Sequence, residues 1–250
     1  RLPGNNRFAL KNRKFSPKTI YAEKDAAHSD LLIRLRNAFP YARVMIIPGL
    51  KQYIRGCPPM TVESYNNRRE QVFVIKENFD HFKKCPCTRG AIGCGYNIFN
   101  LGFGCIFDCT YCFLQEYVNT PGILLPYNLC SFFDRFALFK KPGMRIGTGE
   151  FSDSLMLDGI TGYSSEIVEF FREHPSCVFE FKTKSTDISN LIRARHSGNI
   201  VVSWTMTPAS FGRKNELLAP SVADRIKSAA ACAAAGYKIG LHFDPIVLSQ

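Results

Sequence analysis

Two rhythms of apolar positions divide the chain. Up to about residue 84 the apolar runs are short. Leu31, Leu32, Leu35 and Phe39 recur at helical spacing behind Ser29 and before Pro40, which predicts a helix capped by Ser29 and stopped by the proline. Residues 19–22, 42–47 and 71–75 (QVFVI) predict strands, the second ended by Pro48-Gly49. Residues 1–18 are polar, basic and punctuated by Pro and Gly, and read as an arm or loop. From Tyr96 the rhythm becomes a regular alternation. Strands are predicted at 97–101, 145–148, 178–181, 201–205 and 238–243, with helices at 129–139, 163–173, 188–195 and 222–235. The last helix is Ala-rich and ends at Gly236, a C-capping signal.

Strands alternating with helices of ten or so residues imply right-handed βαβ units and a parallel sheet. The expected fold is α/β: parallel βαβ units over residues 96–250, preceded by a small basic α/β domain (1–84) and a cysteine-rich connector (85–95). In such sheets and barrels the chemistry sits at the C-terminal ends of the strands. The residues there are Gly104 and Cys105 after the first strand, then Gly147, Thr148, Gly149, Glu150, Ser152 and Asp153 after the second. Lys182 and Lys184 follow the third, Thr205 and Thr207 the fourth, His242 and Asp244 the fifth.

Composition narrows the classes. With 250 residues, 46% of them hydrophobic, the chain can bury a substantial core. No apolar run reaches the ~18 residues of a membrane span. The first residues, Arg1 to Arg7, show neither an initiator Met nor a signal-peptide core, so a piece of a longer reading frame is expected. Ten cysteines without a secretory signal favour metal binding in a reducing cytosol over a disulfide framework, and a cytoplasmic location with no membrane partner. Residues 1–84 hold 17 Lys or Arg against 7 Asp or Glu, whereas residues 85–250 hold 15 against 14. The excess charge therefore lies in the N-terminal third. There Lys51, Arg55, Arg68 and Arg69 lie near Tyr53 and Tyr65 in the sequence, a mixture that suits DNA or another polyanion and that a merely solvated basic surface would also show.

The chemistry-bearing stretch is Cys105-x-x-x-Cys109-x-x-Cys112. Three thiolates at this spacing can wrap one cubane of four irons and leave one iron free of a protein ligand, a place for chemistry. A zinc ion with a fourth ligand from elsewhere is the alternative. Cys57, Cys85, Cys87 and Cys94 are candidates for a second cluster or a zinc ion, with packed or free thiols as the other reading.

In this order of segments the sequence resembles the radical S-adenosylmethionine superfamily, and within it the spore photoproduct lyase family. The resemblance rests on the cysteine loop with Tyr111 before its last cysteine, Cys112-Phe113-Leu114-Gln115, Asn119-Thr120-Pro121-Gly122, Ser152-Asp153, Lys182-Thr183-Lys184, Val202-Ser203-Trp204-Thr205 and Ala235-Gly236-Tyr237. It implies a 4Fe-4S cluster on Cys105, Cys109 and Cys112, and S-adenosylmethionine held near Tyr111, Gly149, Glu150, Ser152, Lys184 and Thr205. It further implies reductive cleavage of that cofactor to a 5′-deoxyadenosyl radical, an electron donor such as flavodoxin or ferredoxin, and a DNA or modified-base substrate. Two positions depart from the family: Glu150 stands where a hydrogen-donating cysteine is expected, and Phe113 where a tyrosine is expected. The resemblance also implies that residues 96–250 form a partial parallel β/α barrel of six strands, of which five are visible. A radical enzyme acting on a peptide or small molecule, and a non-catalytic nucleic-acid-binding protein with a structural zinc or Fe-S site, remain as alternatives.

Overall fold

A computed structural model describes residues 15–78, 83–85, 90, 92–93, 95–117 and 119–248. The expectations for residues 1–14, Cys87 and Cys94 lie outside the described residues. In chain order the first elements are β1 (Thr19–Glu23), α1 (Asp30–Ala38), β2 (Arg43–Ile47), α2 (Leu50–Arg55), α3 (Val62–Asn67) and β3 (Gln71–Ile75). Ser29 caps α1 as expected, its hydroxyl accepting from Leu32 N at 3.3 Å, and the helix buries Leu31, Leu32 and Leu35. There follow β4 (Lys83–Lys84), β5 (Tyr96–Phe99), α4 (Leu114–Tyr117), β6 (Ile123–Pro126), α5 (Leu129–Phe139), β7 (Arg145–Thr148), α6 (Asp158–Thr161) and α7 (Tyr163–Arg172). The chain closes with β8 (Val178–Thr183), α8 (Ser189–Arg193), β9 (Ile200–Thr205), α9 (Ala209–Asn215), α10 (Val222–Ala234) and β10 (Lys238–His242).

These strands form two sheets. The first has the order β2-β1-β3-β6 and is parallel throughout. Its fourth strand is the element that periodicity missed. Ile123–Pro126 is only four residues long and buried at every position, so it shows neither alternation nor length. It pairs with β3 in the register Val72↔Ile123, so a strand from beyond the cysteine loop completes the sheet of the N-terminal third. One continuous core, from Ile20 and Val72 to Phe179 and Trp204, spans the expected division at residues 84–96.

The second sheet has the order β10-β9-β8-β7-β5-β4, parallel except for β4. It is the expected parallel β/α arrangement, built on five parallel strands and open rather than closed among the described residues. Alternation sorts its side chains. Ile146, Phe179, Phe181, Val202 and Trp204 are buried with Phe132, Phe136, Ile167 and Phe171 of α5 and α7. The Phe99 and Phe132 rings stack 3.7 Å apart, and Phe171 lies 4.8 Å from Phe179. Burying each such ring is worth ~2 kcal/mol or more, which fixes the helices to one face. The other face carries Tyr96, Glu180, Lys182, Ser203, Thr205 and His242, and leads up to the strand ends. Among the described residues no helix is long and apolar enough to cross a membrane.

Candidate functional site

The cysteine loop leaves β5 through two tight places. Gly102 (φ 136°) and Gly104 (φ 88°) adopt positive φ, and a Cβ on Gly102 would stand 2.2 Å from Leu124 O. The close approach lets Phe103 exchange backbone hydrogen bonds with Leu124, at 3.1 and 2.9 Å, tying the start of the loop to β6. Asp108 takes the left-handed conformation (φ 47°) that Asp tolerates better than most residues, and its carboxylate pairs with Arg69 at 2.6 Å. Cys112 N donates to Cys109 O, and Gln115 Nε2 donates to the same carbonyl at 2.6 Å, which turns the chain into α4.

All nine residues expected at the site line one cavity of about 370 Å³: Cys105, Cys109, Cys112, Tyr111, Gly149, Glu150, Ser152, Lys184 and Thr205. β7, β8 and β9 deliver the strand-end members at their C-terminal ends, as parallel-sheet geometry requires. Gly149 N donates to Phe99 O at 2.6 Å, and a Cβ there would meet Asn100 Oδ1 at 1.7 Å, so any larger residue must displace the Asn100 side chain. Asp153 accepts from Thr183 Oγ1 (2.7 Å), Lys184 N (2.7 Å) and Leu155 N (3.0 Å), which fixes the turn carrying Ser152 to the end of β8. Burial pushes the Asp153 carboxyl up while these donors pull it back. Lys184 Nζ stands 5.7 Å from the centre of the Tyr111 ring.

Burial also pushes two of the thiols up, Cys105 strongly and Cys109 to about 12, with Lys184 opposing the shift at Cys109. A metal arriving here must therefore displace protons. Among the described residues no three His, Cys, Asp or Glu side chains converge as a mononuclear metal site requires. A single tetrahedral zinc would draw its ligands onto one point, whereas a cubane spreads its thiolates over several irons. Three thiols that face one cavity are a donor set such a cubane can use. The second set does not assemble among its described members: Cys57 follows α2 beside Tyr53, while Cys85 follows β4 at the edge of the other sheet.

Other expected residues divide. Arg68 and Arg69 reach the cavity wall, but Arg68 is buried over the Tyr65 ring at 3.6 Å, and Tyr53 packs with Tyr21 and Phe73. Asp244 and Lys182 line the cavity. His242 points instead to Glu180, at 3.1 Å, and buried Thr207 donates to Glu216 at 3.2 Å. Glu216 and Arg225 went unnoticed in the sequence. They form an ion pair with both side chains 1% exposed, and Glu216 accepts from the Tyr111 hydroxyl. Nothing in the local sequence distinguishes Glu216 from a solvated carboxylate. Hydrophobicity would place Ile226 on the inner face of α10, yet Ile226 is 55% exposed, and the buried stripe is Arg225, Ser228, Ala229 and Cys232.

Comparison with known proteins follows from this geometry. The family model for spore photoproduct lyase matches residues 15–250. The spore photoproduct lyase of Clostridium acetobutylicum is 28% identical over 156 residues, covering 59% of this chain and 45% of the relative. That of a Geobacillus species is 25% identical over 242 residues, covering 94% of this chain and 69% of the relative. The match thus spans less than half of the first relative and about two thirds of the second. Among solved structures, a spore photoproduct lyase complexed with dinucleoside spore photoproduct superimposes with a TM-score of 0.80 at 23% identity, covering 95% of this chain and 70% of the other. A mutant of spore photoproduct lyase with bound AdoMet and dinucleoside spore photoproduct gives 0.79 at 24% identity, with the same coverage. Fold, cavity and a family match over almost all of its length agree: this chain belongs to the spore photoproduct lyase family.

Proposed function

We propose that the chain is a radical S-adenosylmethionine enzyme in which Cys105, Cys109 and Cys112 hold a 4Fe-4S cluster. The observation that carries this reading is convergence. Three thiols and Tyr111 from one loop and five residues from the strand ends line a single cavity. Lys184 offers a cation for the cofactor carboxylate, Glu150 a carboxylate for its ammonium group, Ser152 and Thr205 hydroxyls, and Tyr111 a flat ring for the purine. Gly149 keeps the wall beside them clear of a side chain. When bound, the cluster and S-adenosylmethionine together supply a 5′-deoxyadenosyl radical for hydrogen abstraction. The protein orients the parts, and the apolar wall of Phe107 and Ile123 excludes water.

The proposed substrate is a damaged or modified base in DNA; one solved relative holds a dinucleoside spore photoproduct. The cavity, at about 370 Å³, is near the lower end of the range for small-molecule pockets. A base must therefore be extruded from its stack and presented at the mouth, where Phe113 is 48% exposed. Phenylalanine has no O–H and a carboxyl O–H is a poor hydrogen-atom donor, so return of hydrogen to the product radical runs through a group other than Phe113 or Glu150. A small electron-transfer protein such as flavodoxin or ferredoxin is the proposed reductant.

Anaerobic reconstitution tests the reading. The expected result is about four irons and four sulfides per chain, with cleavage of S-adenosylmethionine under reductant. Cys109→Ala is expected to lose both. A colourless zinc protein, or cleavage retained in that variant, would overturn the assignment.

A further inference from the structure

The cysteine loop is held from outside by a segment that lies more than 100 residues later in the chain. Between α9 and α10, residues 215–218 run antiparallel to residues 107–110. Thr110 N donates to Asn215 O at 2.8 Å, Cys109 and Glu216 form a β-bridge, and Leu218 N donates to Phe107 O at 3.0 Å. The Thr110 hydroxyl adds a bond to Asn215 Oδ1 at 2.9 Å. From this strap the Glu216 carboxylate turns inward. One oxygen accepts from the Tyr111 hydroxyl and from Thr207 Oγ1, and the other accepts from Arg225 Nη2. The Arg225 guanidinium, fully buried, spends its remaining contacts on Thr205 O and Pro220 O, both at 3.0 Å. One buried ion pair thus joins the cysteine loop, the cavity end of β9 and the N-terminal turn of α10.

A buried ion pair rarely adds net stability over apolar packing, so its placement calls for another explanation. This one bonds the residue just before Cys112 and lies beside the backbone of Cys109. We propose that Glu216, held by Arg225, is a positioning residue for the cysteine loop, presetting Tyr111 and the thiol of Cys109 for the incoming cluster. The proposal rests on the cluster assignment above, and its test separates the two. Tyr111→Phe removes only the hydroxyl that Glu216 receives. Glu216→Gln keeps the shape and removes the charge that holds Arg225.

The reconstituted protein would be challenged with an iron chelator, and rates of iron loss and the electron paramagnetic resonance signal of the reduced cluster recorded. Both variants are expected to lose iron roughly 10-fold faster than the parent, with an altered signal, as loss of an outer partner to a metal ligand typically does. Tyr111→Phe should do so with its melting temperature unchanged, a result that a merely structural hydroxyl would not produce. Parental rates and signal in both variants would overturn the proposal. The iron-free chain gives an independent readout by mass-spectrometric alkylation, with exposed Cys130 of α5 as internal reference. Cys109 is expected to react several-fold faster in Glu216→Gln than in the parent. If the parent binds no iron, the cluster assignment fails, and equal alkylation rates then dispose of the positioning role as well.

Discussion

Glu180 shows how strongly single side chains are committed on the face below the cavity. Burial alone would raise its carboxyl, but hydrogen bonds from His242 and Ser203, the nearby Tyr96 hydroxyl and the charge of Lys182 outweigh that and bring it down to about 2. A carboxylate whose folded pKa lies below its unfolded value of ~4.3 stabilises the fold above that value, and the contribution is lost as pH falls toward 2. Glu180→Gln should therefore lower stability near neutral pH by about 2 kcal/mol, with the gap closing between pH ~4 and 2 in denaturant titrations run across that range. A gap independent of pH would mean that packing, not charge, sets its role. Gly149 is the other residue of this kind. Gly149→Ala should weaken S-adenosylmethionine binding at least ~10-fold by equilibrium titration, because the added methyl meets Asn100 and pushes the wall out of place. Gly149 was expected at the site from its place at a strand end, but Glu180 was not, because a glutamate in an alternating strand is read alike whether it bears on a site or not.

At the scale of elements, the regular pieces were legible and the connecting pieces were not. α5 and β3 were expected with their observed bounds, since Leu129, Phe132 and Phe136 fall on one face and residues 72–75 of QVFVI form an unbroken buried run. β6 was missed, and with it the reason the cysteine loop sits where it does. Gly122, which leads into β6, is packed so closely against β3 that a Cβ would be 2.5 Å from Gln71 O. Gly122→Ala should cost about 1–3 kcal/mol in chemical denaturation and loosen the pairing of β6 with β3. Because Phe103 bonds to Leu124 of β6, the same variant should also retain less iron after reconstitution. Full stability in that variant would show that β3 and β6 can part without cost.

For the whole molecule, charge asymmetry and topology bear on the substrate. The basic N-terminal third reaches the cavity through Arg68 and Arg69, yet those two are engaged by Tyr65 and Asp108, which leaves exposed groups such as Lys51 and Arg55 to meet a polyanion. If the substrate is DNA, log affinity should fall linearly with log salt, with a slope set by the number of phosphates contacted; a nearly flat dependence would remove DNA from the proposal. Lys51→Glu with Arg55→Glu should weaken binding without changing iron content.

What the amino-acid order determined alone is the set of local facts: the βαβ rhythm, the cap at Ser29, the thiol spacing and the strand ends at which Glu150, Ser152, Lys184 and Thr205 would stand. Each follows from periodicity or backbone preference within a few residues. The tertiary structure decided which distant groups meet. It brought β6 into the first sheet, Arg69 to Asp108, and the Glu216–Arg225 pair to Tyr111 across more than 100 residues. A buried charge is tolerable only where partners from other elements satisfy it, and those partners exist only once the sheets have packed. The thiol spacing is local; the packed fold supplies the strap and the buried pair that hold the cysteine loop.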